Sequence, residues 1–397
     1  MAVVSRNLDG KSQSKANIFY DPFYRGLFYQ IVSVLALAGL IYEVSGNVAA
    51  NMAKSNLNIG FDFLDGRAGF DLAQSFIPYT SDSTFMDALL VGLLNTLAVA
   101  AIGIVTATIL GLIIGIGRLS RNWLIATLCT IYVEIFRNLP PLLVIFFWYS
   151  GVLNALPQAR ESIHLPFGAY LNNRGFFFPT PVFESGSIFI LIAFVAGIIG
   201  AILVFRWAKA RQMATGQQFP VLWVSLALIF GLPLITFLIT GMPISMDYPV
   251  AGKFNMSGGS VVGPEFMSLY LALSVYTASF IAESIRSGIL GVSKGQTEAA
   301  SALGLTPQQT MRLVVLPQSL RIVIPPLTSE YLGITKNTSL AVAVGYADIV
   351  AVGGTILNQT GHSIEIVAIW LFVFLGISLL TSLFMNWFNK KMALVER

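Results

Sequence analysis

A chain of 397 residues that is 55% hydrophobic and only 11% charged, with a mean hydropathy of +0.76, has too little polar surface to clothe a soluble domain, so a polytopic membrane protein is expected. The formal net charge of +4 is small, and basic residues in such chains mostly set orientation across the bilayer, so no nucleic-acid partner is implied. The single Cys129 lies in an apolar run and reads as a small buried hydrophobe, which sets redox chemistry aside.

Residues 1–26 form a polar arm carrying Arg6, Lys11, Lys15 and Arg25. The apolar run behind it lies well in from the terminus and lacks a small-residue cleavage site, so a cytosolic arm is expected, not a signal peptide. Gly10-Lys11-Ser12 has Ser5 where a phosphate loop needs its first glycine, and no strand precedes it. Residues 27–87 hold a short first span, roughly Leu27 to Tyr42, and a loop. There Asp62, Asp65, Asp71 and Asp82 outnumber Lys54 and Arg67, which points the loop to the periplasm. The main transmembrane domain is expected over residues 88–388.

Its first span, about Ala88 to Gly117, ends at Arg118 and Arg121, an inside signal. Gly111-x-x-x-Gly115 within it either admits a close helix neighbour or is chance glycine; the sequence leaves both readings open. The next run, Trp123 to Ser150, is interrupted by Glu134, Arg137 and Pro140-Pro141. Residues 150–265 add two plainer spans, about Ser187 to Phe205 and Val221 to Thr240, joined on the inside by Arg206, Lys209 and Arg211. A sixth span from about Phe266 reaches the cytosol near Arg286. The seventh is interrupted by Pro325-Pro326, Lys336, Asn337 and Asp348, and the eighth runs from about Ile366 to Phe388 before a basic tail, residues 389–397. Eight crossings with both termini cytosolic satisfy every basic loop, so the fold class is all-α with about eight transmembrane helices.

Between the sixth and seventh spans lies a stretch of different character, Ser293 to Pro317. Ser293 with Gln296 has the spacing of a capping box, Glu298, Ala299, Ala300 and Ala302 favour a helix, and Gly304 supplies the left-handed residue that ends one. Thr306, Pro307 and Gln309 repeat the capping logic, and Pro317 is expected to close the second helix. A helix-turn-helix thus projects on the cytosolic side.

Buried charge is confined to a few places. Glu134 with Arg137, and Glu283 with Arg286, sit three apart on one helix face and can neutralise themselves. The boundary position of Arg286 favours a structural clamp there. For Glu134 and Arg137, a polar substrate path and a clamp remain equal readings, while Lys336, Asn337 and Asp348 point to a polar route along an unwound segment. His164 and His362 have no ligand-spaced partners, and no nucleophile or phosphate-binding motif occurs, so no metal, cofactor, catalytic residue or intrinsic ATPase is expected. A secondary carrier or channel for a polar solute also explains the broken helices, and a membrane-embedded enzyme is the weaker third class.

Glu298-Ala299-Ala300, then Gly304, then Val314-x-Leu316-Pro317 resembles the EAA signature of permease subunits of type I binding-protein-dependent ABC importers, with Val for the usual Ile. Val91 to Thr96, Tyr132 to Pro141, Tyr276 to Leu290 and Lys336 to Leu340 are similar to the polar amino-acid branch. The long form, with residues 150–265 inserted, resembles the Q-type subunit of general L-amino-acid transporters and their glutamate/glutamine/aspartate/asparagine relatives. The resemblance implies the type I importer permease fold with cytosolic coupling helices, in a bacterial inner membrane. It implies a second permease subunit, two ATP-binding subunits and a periplasmic amino-acid-binding protein as partners. The loop carrying Glu298, Ala299, Ala300, Gly304, Leu316 and Pro317 would then seat in a groove of the ATPase.

Overall fold

The computed structural model describes residues 22–54, 60–252 and 255–392; Arg6, Lys11, Lys15 and Arg397 lie outside them. The chain opens with α1 (Pro22–Lys54), a single apolar helix longer than its sequence suggested, whose described side chains are exposed throughout. After an outer loop, α2 (Phe85–Gly117) starts at a true capping box. The Thr84 hydroxyl accepts from the Asp87 amide at 3.1 Å, and the Asp87 carboxylate accepts from the Thr84 amide at 3.0 Å. This satisfies two orphan donors at the mouth of an otherwise apolar helix.

The third span divides where the proline pair demands it. α3 (Trp123–Asn138) and α4 (Pro141–Phe146) meet at a bend of 110°, and α4 continues to Leu153 in wide, π-type turns. The chain then leaves the bundle into a lobe that the all-helical reading did not contain. Strands β1 (Ile163–Leu165), β2 (Ala169–Asn172), β3 (Gly175–Phe178) and β4 (Thr180–Phe183) lead to α5 (Ser187–Thr215), α6 (Val221–Leu226) and α7 (Leu232–Ile239). Strands β5 (Ile244–Asp247), β6 (Val250–Ala251), β7 (Met256–Ser257) and β8 (Ser260–Val262) return from them. The sheet order β1-β2-β3-β8 is antiparallel throughout and β4 pairs with β5, so the strands clamp the hairpin of α5 with α6 and α7 at its base. Arg206, Lys209 and Arg211, expected in a loop, lie on α5 itself, which runs on past the apolar stretch.

The core is made by α8 (Pro264–Leu290) lying parallel to α2, with α11 (Leu316–Asn337) antiparallel to both. A methyl group added to Gly111 would sit 2.6 Å from Cγ2 of Ile281, and one on Gly115 would sit 2.8 Å from the Ala282 carbonyl oxygen. Of the two readings of Gly111-x-x-x-Gly115, the close helix neighbour is therefore the one observed. Hydroxyl pairs fasten the same three helices, Thr106 to Tyr270 and Thr108 to Tyr331, each at 2.9 Å. Val99, Ala107, Leu269, Leu273, Ile281 and Ile334 fill the space between them.

Between α8 and α11 lie α9 (Lys294–Ala302) and α10 (Pro307–Thr310). The chain passes from α10 through a wide turn, Met311–Val315, straight into α11. Pro317 therefore begins a helix instead of closing one, its missing N–H falling in a first turn where no partner is required. Pro325 and Pro326 also lie inside α11 without interrupting it, as spanning helices allow when neighbours satisfy the freed carbonyls. The break comes later. After a tight turn, Thr338–Val344, Gly345 takes φ +79°, and α12 (Ile349–Thr360) resumes at a bend of 52° before α13 (Ser363–Met392). Among the described residues six helices are long and apolar enough to cross a bilayer, and each bent pair taken as one span brings the total to eight.

Replacing Gly111 by Leu should cost about 1–3 kcal/mol through overpacking against Ile281, while Gly376→Ala, whose added methyl meets no neighbouring side chain or helix within 4 Å, should be neutral. Thermal unfolding of the two variants in one detergent distinguishes the outcomes.

Candidate coupling element and transport path

The polar stretch folds as two helices around a left-handed glycine. Ser293 flanks α9 but its hydroxyl makes no capping bond. The box expected with Gln296 is absent: the Gln296 main-chain amide donates to the Ser293 carbonyl at 3.0 Å, and its side-chain oxygen accepts from the Gln318 side-chain amide at 3.2 Å, tying α9 to α11. Gly304 stands at φ +78°, and the Leu305 amide reaches back to the Ala300 carbonyl at 3.1 Å, which closes the helix end. The second box forms as expected: Gln309 N–H donates to Thr306 Oγ1 at 3.3 Å and Thr306 N–H to Gln309 Oε1 at 2.9 Å.

These local bonds sort the side chains by face. Ala300 is buried and seats the element on the bundle, while Glu298, Ala299 and Gly304 are exposed. Beside them Leu303 is 82% exposed, and Leu313 and Leu316 also stand in the open, whereas Pro317 is half-buried. Leu303 escaped sequence reasoning because an isolated leucine after an Ala-rich helix reads as core. The result is an exposed surface in which Ala299, Leu303, Leu313 and Leu316 stand near the Glu298 carboxylate, on short helices secured by the Gly304 turn and the Thr306–Gln309 box.

Behind this element, α2 and α8 are joined at their ends by charge. Glu283 accepts from Arg118 at the end of α2 and pairs with Arg286 at 2.8 Å. The self-neutralising pair foreseen on α8 thus exists as a clamp between helices. Glu134 and Arg137 behave differently: among the described residues no ion pair joins them. The Arg137 guanidinium lies over the Phe280 ring of α8, 5.6 Å from its centroid. Both residues of the pair are exposed on α3.

The remaining path candidates are spread along the end of α11 and the break. Lys336 is exposed, Asn337 is half-buried, and Asp348 is wholly buried as the cap of α12, its carboxylate accepting from the Ala351 amide at 2.8 Å. The break is held by residues of α2. Asn95 donates to the Gln74 carbonyl at 3.1 Å and to the Ala347 carbonyl at 2.8 Å, and its own carbonyl accepts from the Tyr346 hydroxyl at 3.2 Å. Thr96 accepts the Ile349 amide at 3.1 Å, and the Trp370 indole donates to the Ile349 carbonyl at 3.0 Å. An asparagine inside an apolar span was the available signal for this latch.

Over the break opens a cleft of about 1180 Å³ at the lobe end of the bundle, with Asp71, Asn154, Arg174, Glu265, Tyr346 and Trp370 on its walls. None of Glu134, Arg137, Lys336, Asn337 and Asp348 lines it. The lobe therefore adds a polar rim to an opening whose floor is the unwound segment.

Asn95→Leu keeps the volume yet strips donors from two carbonyls across three chain segments, so a loss of about 2–4 kcal/mol is expected. The decrease in melting temperature should exceed that of Thr96→Val, measured side by side.

Comparison with known proteins places these features in a family. Residues 210–394 match the family described as binding-protein-dependent transport system inner membrane component. The chain is 63% identical over 396 residues to the general L-amino acid transport system permease protein AapQ of Rhizobium johnstonii, covering 100% of this chain and 99% of that protein. It is 47% identical over 380 residues to the putative amino-acid ABC transporter permease protein YhdX of Escherichia coli, covering 96% of this chain and 97% of that one. Among solved structures, the crystal structure of an amino acid ABC transporter with histidines aligns over 77% of this chain and 95% of that one, at 18% identity and a TM-score of 0.46. A capped helix pair beside a broken-helix bundle, and a relationship extending over the whole chain, agree: the chain belongs to the family of amino-acid ABC transporter permeases.

Proposed function

We propose that this chain is one of two different permease subunits of an ATP-driven amino-acid importer of the inner membrane. It forms half of the translocation path and takes its power stroke from a separate ATPase through α9 and α10. The observation that carries this reading is the face made by Glu298, Ala299, Gly304 and the open Leu303 and Leu316. Small side chains permit close approach of a partner surface, Glu298 is free to meet a base or a backbone amide, and capping makes the element move as one body.

The partners are a second permease subunit, two ATP-binding subunits and a periplasmic amino-acid-binding protein. In keeping with loop charge, both termini and the coupling element face the cytosol and the lobe faces the periplasm. The permease core comprises 88–149 and 266–388, in keeping with the packing of α2, α8 and α11, and 150–265 is an insertion whose α5 to α7 hairpin is fastened by its own strands. Within the core, Glu134 and Arg137 on α3, and Lys336, Asn337 and Asp348 around the break, mark the polar side of the path as two half-paths come together.

Glu298→Lys and Gly304→Val should leave insertion intact while uptake into membrane vesicles falls to that of vesicles without ATP. A β-branched residue at φ +78° costs about 1–2 kcal/mol in local strain, enough to misplace the element without unfolding the bundle. Normal ATP-driven uptake by the Gly304→Val protein would refute the coupling role. Uptake by the unaltered protein that ignores ATP depletion and collapses with an uncoupler would identify a secondary carrier instead. Co-purification from native membranes, with ATPase activity tested against a panel of amino acids, identifies partners and cargo together.

A further inference from the structure

The hairpin of α5, α6 and α7 carries its own chemistry. Residues 185–246 contain Arg206, Lys209 and Arg211 and no aspartate or glutamate, so the three cations have no carboxylate within the hairpin to neutralise them. Helix α5 has 29 residues, about 43 Å of helix against a hydrocarbon core of about 30 Å. The apolar stretch 188–205 fills that core alone, which puts Arg206 at its boundary and the last turns of α5 among the headgroups. Ile188, Leu191, Ile192, Ile199 and Leu203 are exposed along the helix, so acyl chains reach its length.

At that boundary the side chains are arranged around an opening. Trp207 is half in the open, with the Phe219 ring edge-on at 5.1 Å and the Arg211 guanidinium 5.4 Å above it. Arg211 also donates to the Gln217 side chain at 2.8 Å, which draws the turn after α5 back onto the helix. Between helix and turn lies a cavity of about 480 Å³ bordered by Phe205, Lys209, Gln212, Gln218 and Phe219. One ammonium and two amides thus face a space with aromatic walls, at the depth where a lipid phosphate sits. An acidic protein surface would satisfy the cations too, but it needs neither an interfacial tryptophan nor an apolar track continuing from the site.

We propose that this end of the α5 to α7 hairpin is a binding site for anionic phospholipid headgroups, with Lys209, Gln212 and Gln218 around the phosphate and Arg206 and Arg211 at its flanks. Both α5 and α8 leave the strand lobe, so this end emerges on the side of the coupling element, and the site lies in that leaflet. The inserted hairpin is then an anchor that gathers charged lipid beside the transporter.

The intact chain, reconstituted in phosphatidylcholine vesicles, is given spin-labelled phosphatidylglycerol or spin-labelled phosphatidylcholine, and the motionally restricted fraction is read by electron paramagnetic resonance. A several-fold preference for phosphatidylglycerol is expected. It should disappear in the variant R206Q/K209Q/R211Q, weaken in K209Q alone, and survive in K209R. Equal restriction of the two lipids by the unaltered chain, or a preference that outlives the triple substitution, overturns the proposal. So does displacement of the labelled lipid by soluble glycerol phosphate at matched ionic strength, which would mark a small-anion site. Loss of a co-purifying subunit from the triple variant with lipid preference unchanged would assign the cations to a protein contact and overturn it as well.

Discussion

Two apolar helices in a bilayer gain nothing by hiding from lipid, because the surroundings are as oily as their partner; what holds them is contact close enough to multiply dispersion forces and a few shielded polar bonds. The parallel contact of α2 with α8 is of that kind. Glycines at 111 and 115 remove the side chains that would keep Ile281 and Ala282 away, and threonine hydroxyls at 106 and 108 bond to tyrosines on the two neighbouring helices. Everything else is referenced to this pair: α11 crosses both, the broken segment hangs from α2, and α9 and α10 follow the end of α8.

The other long-range constraint is polar. An unwound stretch at membrane depth leaves amides and carbonyls without partners unless the protein supplies them. Here Asn95, Thr96 and Trp370 meet the main chain on both sides of the break, so the loop from Gly345 to Asp348 is built into the bundle. Its opposite side forms the floor of the cleft, where Gly345, Tyr346 and Ala347 appear. The cleft and the stable fold therefore draw on the same few hydrogen bonds.

Hydropathy made the apolar spans readable, since it follows from the cost of placing polar groups in hydrocarbon; six such helices, or eight with each bent pair as one span, stand among the described residues. Gly304 and the Thr306–Gln309 box were legible because each rests on residues within one turn. The Ser293 box does not form, and the Gln296 side chain bonds to Gln318 on α11, a contact no local pattern encodes. Prolines misled as well: Pro140-Pro141 stands at a bend of 110°, while Pro325-Pro326 lie inside a continuous α11. The Asn95 latch and the arrangement of Arg137 over Phe280 depend on pairings between distant segments, so the residues were visible but their partners were not. The short strands of the lobe, two to four residues each, were too brief to register against proline and phenylalanine.

The wide turn at Met311–Val315 also has a mechanical meaning. It joins α10 to α11, so helical backbone runs from Pro307 to Asn337, about 45 Å at the usual rise per residue, before the tight turn at Thr338–Val344. One tip carries the capped turn at Thr306 and the other reaches the floor of the cleft at Gly345. A tilt of about 5° imposed at the first tip displaces the second by about 4 Å over that length, comparable with the width of a small side chain. A small change of angle at one end of this helix is therefore a displacement of several ångströms at the other, beside the cleft.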